Sequence, residues 1–203
     1  MLARGGEPVR VAGTSLKEFP MRLALIVAAL TLPFAAPLSA ALAPGARAPD
    51  FTTKAAIAGK AFTLNLRSQL RKGPVVLYFF PAAFTGGCNA EAKAFADSVD
   101  DFKAAGATVI GMSADDIGKL QEFSKAHCAG RFAVASAGPR VIQGFDVALN
   151  RPAGADGKVR TMTTRTSYVI GRDGKIVFVH SDMNPADHVR TTLEAVRGLA
   201  KRG

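Results

Sequence analysis

Apolar residues fall along this chain in three kinds of run, and each predicts a different element. Residues 23–43 are almost wholly apolar or small, broken by Pro33 and Pro37. Shorter runs bounded by Gly or Pro follow at 75–80 (Val-Val-Leu-Tyr-Phe-Phe) and 107–113 (Ala-Thr-Val-Ile-Gly-Met-Ser). Continuous apolar runs of that length read as buried core strands. A third pattern is periodic. Apolar positions 88, 92, 95, 99 and 102 are spaced four, three, four and three apart, while Asp97, Asp100, Asp101 and Lys103 face elsewhere. That stripe predicts an amphipathic helix stopped by Gly106, with Cys88 on its inward side.

The rest of the chain fills in around these. Residues 45–51 read as an extended lead-in, and 51–56 with 61–65 flank Gly59 as a small hairpin. Asp115 or Asp116 caps a helix with Ile117, Leu120 and Phe123 inward, ending near Gly130. A third core strand is expected at 132–136, a short helix from Pro139 to Phe145, and a long polar loop over 147–160. Strands at 163–170 and 175–180 meet at Arg172-Asp173-Gly174, an Asp-Gly hairpin turn. Asn184-Pro185-Ala186-Asp187 supplies a cap, a first-position proline and an acid for a last helix running to about Lys201. Strands alternating with helices, then a hairpin and a closing helix, predict an α/β fold. Its central mixed β-sheet is flanked by helices, compatible with a thioredoxin-like core carrying an N-terminal β-hairpin extension.

The first apolar run belongs to a different purpose. Arg4, Arg10, Lys17 and Arg22 precede it, with only Glu7 and Glu18 against them. A basic stretch, an apolar stretch and a small-residue end make a secretory signal. Ser39-Ala40-Ala41 places small residues at both cleavage-determining positions, whereas a cut after Ala43 would leave Pro44 first. Residues 1–41 are therefore read as a signal peptide and 42–203 as one domain. Met21-Arg22-Leu23 would itself make a compact start, with the upstream residues a mis-start. The competing reading is an uncleaved membrane anchor, since a bilayer span takes roughly 20 residues. The two prolines and the Ser/Ala-rich end favour cleavage. Either way the domain is exported, to a bacterial periplasm on this reading.

Composition then narrows the partners. The formal charge is +10, and without residues 1–41 it is +8, from 22 basic and 14 acidic residues. The basic residues are scattered, without a dense run or interleaved aromatics, so no nucleic-acid partner is expected. No stable membrane association is expected after signal cleavage. Two cysteines are too few for a disulfide-built scaffold or a four-ligand zinc site. No metal and no cofactor are expected.

Chemistry concentrates at Cys88. It ends Pro81-Ala82-Ala83-Phe84-Thr85-Gly86-Gly87-Cys88, directly after a core strand and in the first turn of the next helix. Free backbone N–H groups and the positive end of the helix dipole favour a thiolate there, and the thiolate is the nucleophile. The bland alternative is a buried structural thiol.

Pro81-x-x-x-Thr85-x-x-Cys88 resembles the peroxiredoxin active-site motif. Three further stretches agree: Gly45 to Phe51 with Ala48-Pro49-Asp50, Glu91 three residues after the cysteine, and Arg165-Thr166-Ser167-Tyr168-Val169-Ile170 leading to Asp173-Gly174-Lys175-Ile176. The resemblance spans residues 45–197 and is nearest the bacterioferritin-comigratory, or peroxiredoxin-Q, group. It implies a thiol-dependent peroxidase acting on hydrogen peroxide and small organic hydroperoxides in antioxidant defence. Cys88 is then the peroxidatic cysteine, Arg165 the guanidinium that favours its ionised form, and Thr85 a hydrogen-bonding hydroxyl. Pro81, with no N–H, shields the thiol from water. Each has a plainer alternative: a surface salt bridge for Arg165, a helix cap for Thr85, an exposed acid for Glu91.

The pattern departs from the group at one point. Members often place a resolving cysteine five residues after the first, where Lys93 stands here. The only other thiol is Cys128, expected at the end of the 117–123 helix, on the edge of its apolar stripe. It is read as the resolving thiol, which requires the cysteine Cα atoms to come within about 7 Å. An inert thiol and a static disulfide made on export are the alternatives. His127, His180 and His188 read as helix-end, cap or surface residues. The reductant is left as a thioredoxin-like domain or a low-molecular-weight thiol, and the assembly as monomer or homodimer.

Three rival functions fare worse. A disulfide oxidoreductase wants C-x-x-C, and Cys88-Asn89-Ala90-Glu91 lacks the second thiol. A copper-delivery protein wants a close cysteine pair with histidine. A non-catalytic exported binding module leaves the Pro81, Thr85, Cys88 and Arg165 set unexplained.

Overall fold

The computed structural model describes residues 41–149 and 161–201. The expected signal peptide, residues 1–41, and its alternative start at Met21 lie outside the described residues except for Ala41. Leu42, just past the expected cut, donates its N–H to Tyr168 Oη at 3.1 Å.

Among the described residues, nine strands and five helices follow in order. The expected hairpin forms from β1 (Thr52–Ile57) and β2 (Lys60–Asn65), turning through Ala58 and Gly59 at φ 49° and 79°. A short helix the sequence reading missed, α1 (Leu66–Leu70), comes next. Asn65 Oδ1 caps it by accepting from Ser68 N at 2.9 Å. Then come β3 (Val75–Phe79), α2 (Gly86–Ala104), β4 (Thr108–Ser113), α3 (Ile117–Ala126), β5 (Ala133–Ser136) and α4 (Pro139–Gly144). The stretch expected as loop from 147 pairs β6 (Ala148–Leu149) with β7 (Met162–Thr163), antiparallel. The strand expected from 163 is broken: β8 runs Thr166–Ile170, and β9 Ile176–Ser181 completes its hairpin. The last helix, α5 (His188–Ala200), starts later than its proline predicts. Asn184 Oδ1 accepts from Ala186 N at 3.1 Å, which closes a turn rather than capping a helix.

Seven strands form one mixed sheet in the order β2-β1-β5-β4-β3-β8-β9. β3, β4 and β5 are parallel, and the remaining neighbours are antiparallel. Parallel neighbours need a crossover, and α2 supplies it between β3 and β4. Period-two alternation splits β3 between two cores. Val76 and Tyr78 join α2, α3 and α5 on one face through Phe95, Val99, Leu120, Phe123, Leu193 and Val196. Val75, Leu77 and Phe79 join α1 and α4 on the other through Leu66, Leu70 and Ile142. All five predicted α2 positions, Cys88, Ala92, Phe95, Val99 and Phe102, are buried. One contact is unusually demanding. Tyr78 pairs with Gly111 across β3 and β4, and a Cβ at Gly111 would lie 2.8 Å from the Tyr78 ring. Glycine there lets the ring lie flat and stack on Phe95, centroids 4.3 Å apart.

Candidate active site

The end of β3 delivers the chain into the 81–85 loop, where the fold ties it down. Ala83 N donates to Asp115 Oδ2 at 2.7 Å, and Ser113 Oγ donates to the same oxygen at 2.8 Å. Asp115 therefore works in the loop, while Asp116 caps α3 by accepting from Lys119 N. Phe84 holds φ 65°, a left-handed conformation that costs a non-glycine residue roughly 1–2 kcal/mol. Its exposed ring meets Phe123 and His127 edge-on, at 5.4 and 5.5 Å between centroids.

Thr85 is the N-cap of α2 by backbone, but its hydroxyl makes no cap bond. Thr85 Oγ1 instead donates to Ala82 O at 2.9 Å, which corrects the helix-capping alternative. Gly86, Gly87 and Cys88 form the first turn, so their N–H groups have no intrahelical acceptor. Pro81 is half-buried at the loop's start. Cys88 is 1% exposed.

Arg165 comes to the sulfur from the break between β7 and β8. Its Nη2 donates toward Cys88 Sγ at 3.5 Å, its Nε to Met183 O at 2.9 Å, and its Nη1 to Glu91 Oε2. Three acceptors, two on α2 and one in the turn after β9, fix the plane of the guanidinium, which an exposed ion pair could not do. The surface alternative for Arg165 is thereby corrected: the side chain is buried. So is that for Glu91, one helical turn past Cys88 and fully buried. Burial pushes the Glu91 carboxyl up to about 7 against the opposing pull of Arg165.

His188 is the site neighbour the sequence reading missed. It was expected at the surface or as a cap, and it is fully buried behind Glu91. Its Nε2 contacts the Asp182 carbonyl at 2.9 Å, its Nδ1 the Ser167 hydroxyl at 2.8 Å, and Glu91 Oε1 lies 3.7 Å from Nδ1. Burial pushes the imidazole down to about 4, so it is neutral at physiological pH. His180 stands edge-on to it, centroids 4.5 Å apart. A signal was available: His188, Thr192 and Val196 recur every fourth residue and all face inward.

Cys128 lies one residue beyond the C-cap of α3, His127. It is fully buried, not at the stripe's edge, and shares the apolar core of Cys88. Burial pushes its thiol up to about 12. Both cysteines are free, so no static disulfide joins them. Left-handed Ala129 and Gly130 close the turn, with Gly130 N donating to Ser124 O at 3.0 Å. The Tyr78 hydroxyl, buried without a hydrogen-bond partner among the described residues, is close enough to feel charge on either cysteine.

Comparison with known proteins agrees with this architecture. The AhpC/TSA family pattern matches residues 44–179. The chloroplastic peroxiredoxin Q of Oryza sativa subsp. japonica is 35% identical over 156 residues, covering 76% of this chain and 67% of that one. Its counterpart from Populus jackii is 33% identical over the same length, covering 68% of the relative. Among solved structures, peroxidoxin BcpB from Mycobacterium tuberculosis superposes with a TM-score of 0.67 at 29% identity, over 77% of this chain and 97% of that one. Xanthomonas campestris peroxiredoxin Q, at 24% identity and a TM-score of 0.62 over 72% and 90%, shares the fold. The chain belongs to the AhpC/TSA family, with peroxiredoxins of the peroxiredoxin-Q and bacterioferritin-comigratory type, and is a thiol-dependent peroxidase.

Proposed function

We propose that this peroxidase reduces hydrogen peroxide and small organic hydroperoxides through Cys88, with Cys128 as the resolving thiol, in antioxidant defence. The observation that carries the reading is the Cys88 sulfur in the first turn of α2, 3.5 Å from a guanidinium held by two further acceptors. The helix N-terminus and the guanidinium both favour the thiolate. The Thr85 hydroxyl keeps lone pairs at the exposed side of the loop, where they can accept from the incoming peroxide. Pro81 presents no N–H to water on the other side.

In the first step the thiolate gives an electron pair to the terminal peroxide oxygen. The S–O bond forms, the O–O bond breaks, and the departing alkoxide or hydroxide takes a proton. Sulfur is oxidised by two electrons and becomes a sulfenic acid. Fixed N–H donors aimed along the breaking bond stabilise the charge that moves along it. In the second step the Cys128 sulfur attacks the sulfenic sulfur, and one water leaves as the disulfide forms. Cys128 is a protonated thiol where it stands, so it must move toward solvent first. The Phe84, His127 and Phe123 contact, which joins the Cys88 loop to the end of α3, has to part. A thioredoxin-like domain or a low-molecular-weight thiol returns the disulfide to two thiols.

The relatives above are named as chloroplastic. For this chain we read the basic and then apolar first residues as an export signal, leading to the periplasm.

Steady-state peroxide consumption tests the reading, with dithiothreitol and with a thioredoxin system as alternative reductants. Cys88→Ser is expected to abolish turnover with both. Cys128→Ser is expected to complete one turnover with thioredoxin and then stop at the sulfenic acid. Turnover that survives Cys88→Ser overturns the assignment; thioredoxin-driven turnover that survives Cys128→Ser removes its resolving role.

A further inference from the structure

One guanidinium faces two acids in this site, and the second acid has an unusual neighbour. Arg165 serves Cys88 Sγ through Nη2 and Glu91 Oε2 through Nη1. Cys88 and Glu91 lie three residues apart on one face of α2, so both cannot carry a negative charge without repulsion. The other carboxyl oxygen, Glu91 Oε1, is buried without any hydrogen-bond partner among the described residues. An ionised carboxylate would leave that oxygen desolvated and unpaired, whereas a protonated one turns it into a donor.

What stands opposite Oε1 is suited to a donor. A carbonyl only accepts, so the contact of His188 Nε2 with Asp182 O places the ring proton on Nε2. His188 Nδ1 then carries a lone pair, shared between the Ser167 hydroxyl at 2.8 Å and Glu91 Oε1 at 3.7 Å. A lone pair repels a carboxylate oxygen and attracts a carboxylic O–H. The carboxyl needs to close by about 1 Å to reach ordinary hydrogen-bond length.

We propose that Glu91 holds a proton on Oε1, toward the Nδ1 lone pair of His188, while Cys88 is a thiolate, and gives it up when peroxide consumes the thiolate. Glu91 and His188 are positioning residues, since neither touches the sulfur. With Glu91 neutral, the whole charge of Arg165 acts on the thiolate. Once the sulfur has become a neutral sulfenic acid, that charge is free and Glu91 ionises against it. One proton leaves Glu91 for the one that the departing alkoxide or hydroxide takes up, so the step needs no further acid. The remaining ionisable groups around the pair, among the described residues, are Tyr78 on β3, which stays a phenol, His180 on β9, beside His188, and Asp182 just past β9, whose charge acts on His188. The upward push on Glu91 and the downward push on His188, both from burial, agree with this assignment.

The inference rests on Cys88 being the peroxidatic thiol. Its test is reduced-minus-oxidised infrared difference spectroscopy of the full chain at about pH 6, where Glu91 is mostly protonated. One equivalent of hydrogen peroxide is the oxidant, and peroxide consumed and Cys88 oxidised are assayed in parallel. The band of a buried protonated carboxyl is expected in the reduced protein and lost on oxidation. It is expected to be missing in Glu91→Gln and displaced to higher frequency in His188→Phe, whose ring accepts no hydrogen bond. A band that persists through oxidation, survives Glu91→Gln, or stays in place in His188→Phe overturns the inference. Nitrogen NMR of the unaltered protein gives a check that needs no variant: a proton on Nδ1 of His188 also overturns it. If Cys88 consumes peroxide and the carboxyl does not respond, this inference alone fails. If Cys88 consumes none, the proposed function fails and takes the inference with it.

Discussion

Replacing Arg165 by glutamine isolates the charge that faces the sulfur. Gln keeps a polar head and an amide N–H but removes a positive charge 3.5 Å from Cys88 Sγ. At an effective dielectric of about 20, two unit charges at that separation interact by about 5 kcal/mol. The cost of desolvating both groups, and the competing Glu91 carboxyl, offset part of that. A hydrogen bond to a charged group has a net value of about 1.5–3 kcal/mol. The second-order rate of peroxide attack is therefore expected to fall about 10- to 150-fold. The chain has no tryptophan to report the reaction by fluorescence. Competition with a haem peroxidase for limiting peroxide supplies the rate instead. Alkylation of Cys88 by iodoacetamide is expected to slow in parallel. Arg165→Lys should recover only part of the loss, because a point charge cannot reach Cys88, Glu91 and the Met183 carbonyl together. Circular dichroism melts confirm that each variant is folded. A folded Arg165→Gln whose attack rate stays within about two-fold of wild type would refute the electrostatic account.

Three further outcomes follow from the packing around the site. Gly111→Ala drives a methyl into the Tyr78 ring, which is stacked on Phe95 and has no room to retreat; a loss of about 1–3 kcal/mol in denaturant unfolding is expected, and an unchanged midpoint would show the ring to be loosely held. Tyr78→Phe removes a buried hydroxyl without a partner, so stability should hold or rise by up to about 1 kcal/mol; a clear loss would mean the hydroxyl has a partner after all. Glu91→Gln should change how stability varies with pH. The Glu91 carboxyl lies above its ordinary 4.5, at about 7, so its protonated form contributes stability at low pH that is lost as pH rises through that window. His188 lies below its ordinary 6.5, at about 4, so its neutral form contributes stability that is lost as pH falls through that window. The two slopes oppose each other in the wild type. Melting temperature in Glu91→Gln should therefore climb more steeply with pH over the shared range, and parallel curves for the two proteins would contradict the burial of Glu91.

Much of the fold could be read from the residues because local and long-range preferences coincide. In α2 the apolar stripe, the glycine entry and the core all demand the same face, so each expected inward position is buried. The hairpin at 172–174 carries its turn chemistry in the sequence. The failures are equally physical. α1 is five residues long, too short for periodicity to register, and rests on the cap from Asn65. Pro185 looks like a first helical position, but Asn184 spends its side chain on Ala186 N, and the chain turns before α5 begins. At the site, the motif points to Cys88, Thr85 and Arg165. It does not point to His188, because a histidine near a helix start has many bland uses. Only its four-residue spacing from Thr192 and Val196 sets it inward. Cys128 reads as the end of the α3 helix and the edge of its stripe, but α3 ends at Ala126, and burial in the following turn depends on contacts from β3 and α2 that no local pattern encodes.

The central claim is that Cys88 is the sulfur that peroxide oxidises. Its most direct test is to treat the reduced protein with one equivalent of hydrogen peroxide in the presence of dimedone, which traps sulfenic acids, and to map the adduct by peptide mass spectrometry. The account predicts a single adduct on Cys88, with a Cys88–Cys128 disulfide taking its place when the trap is left out. An adduct on Cys128 with Cys88 intact, or slow and indiscriminate oxidation of both, would contradict it.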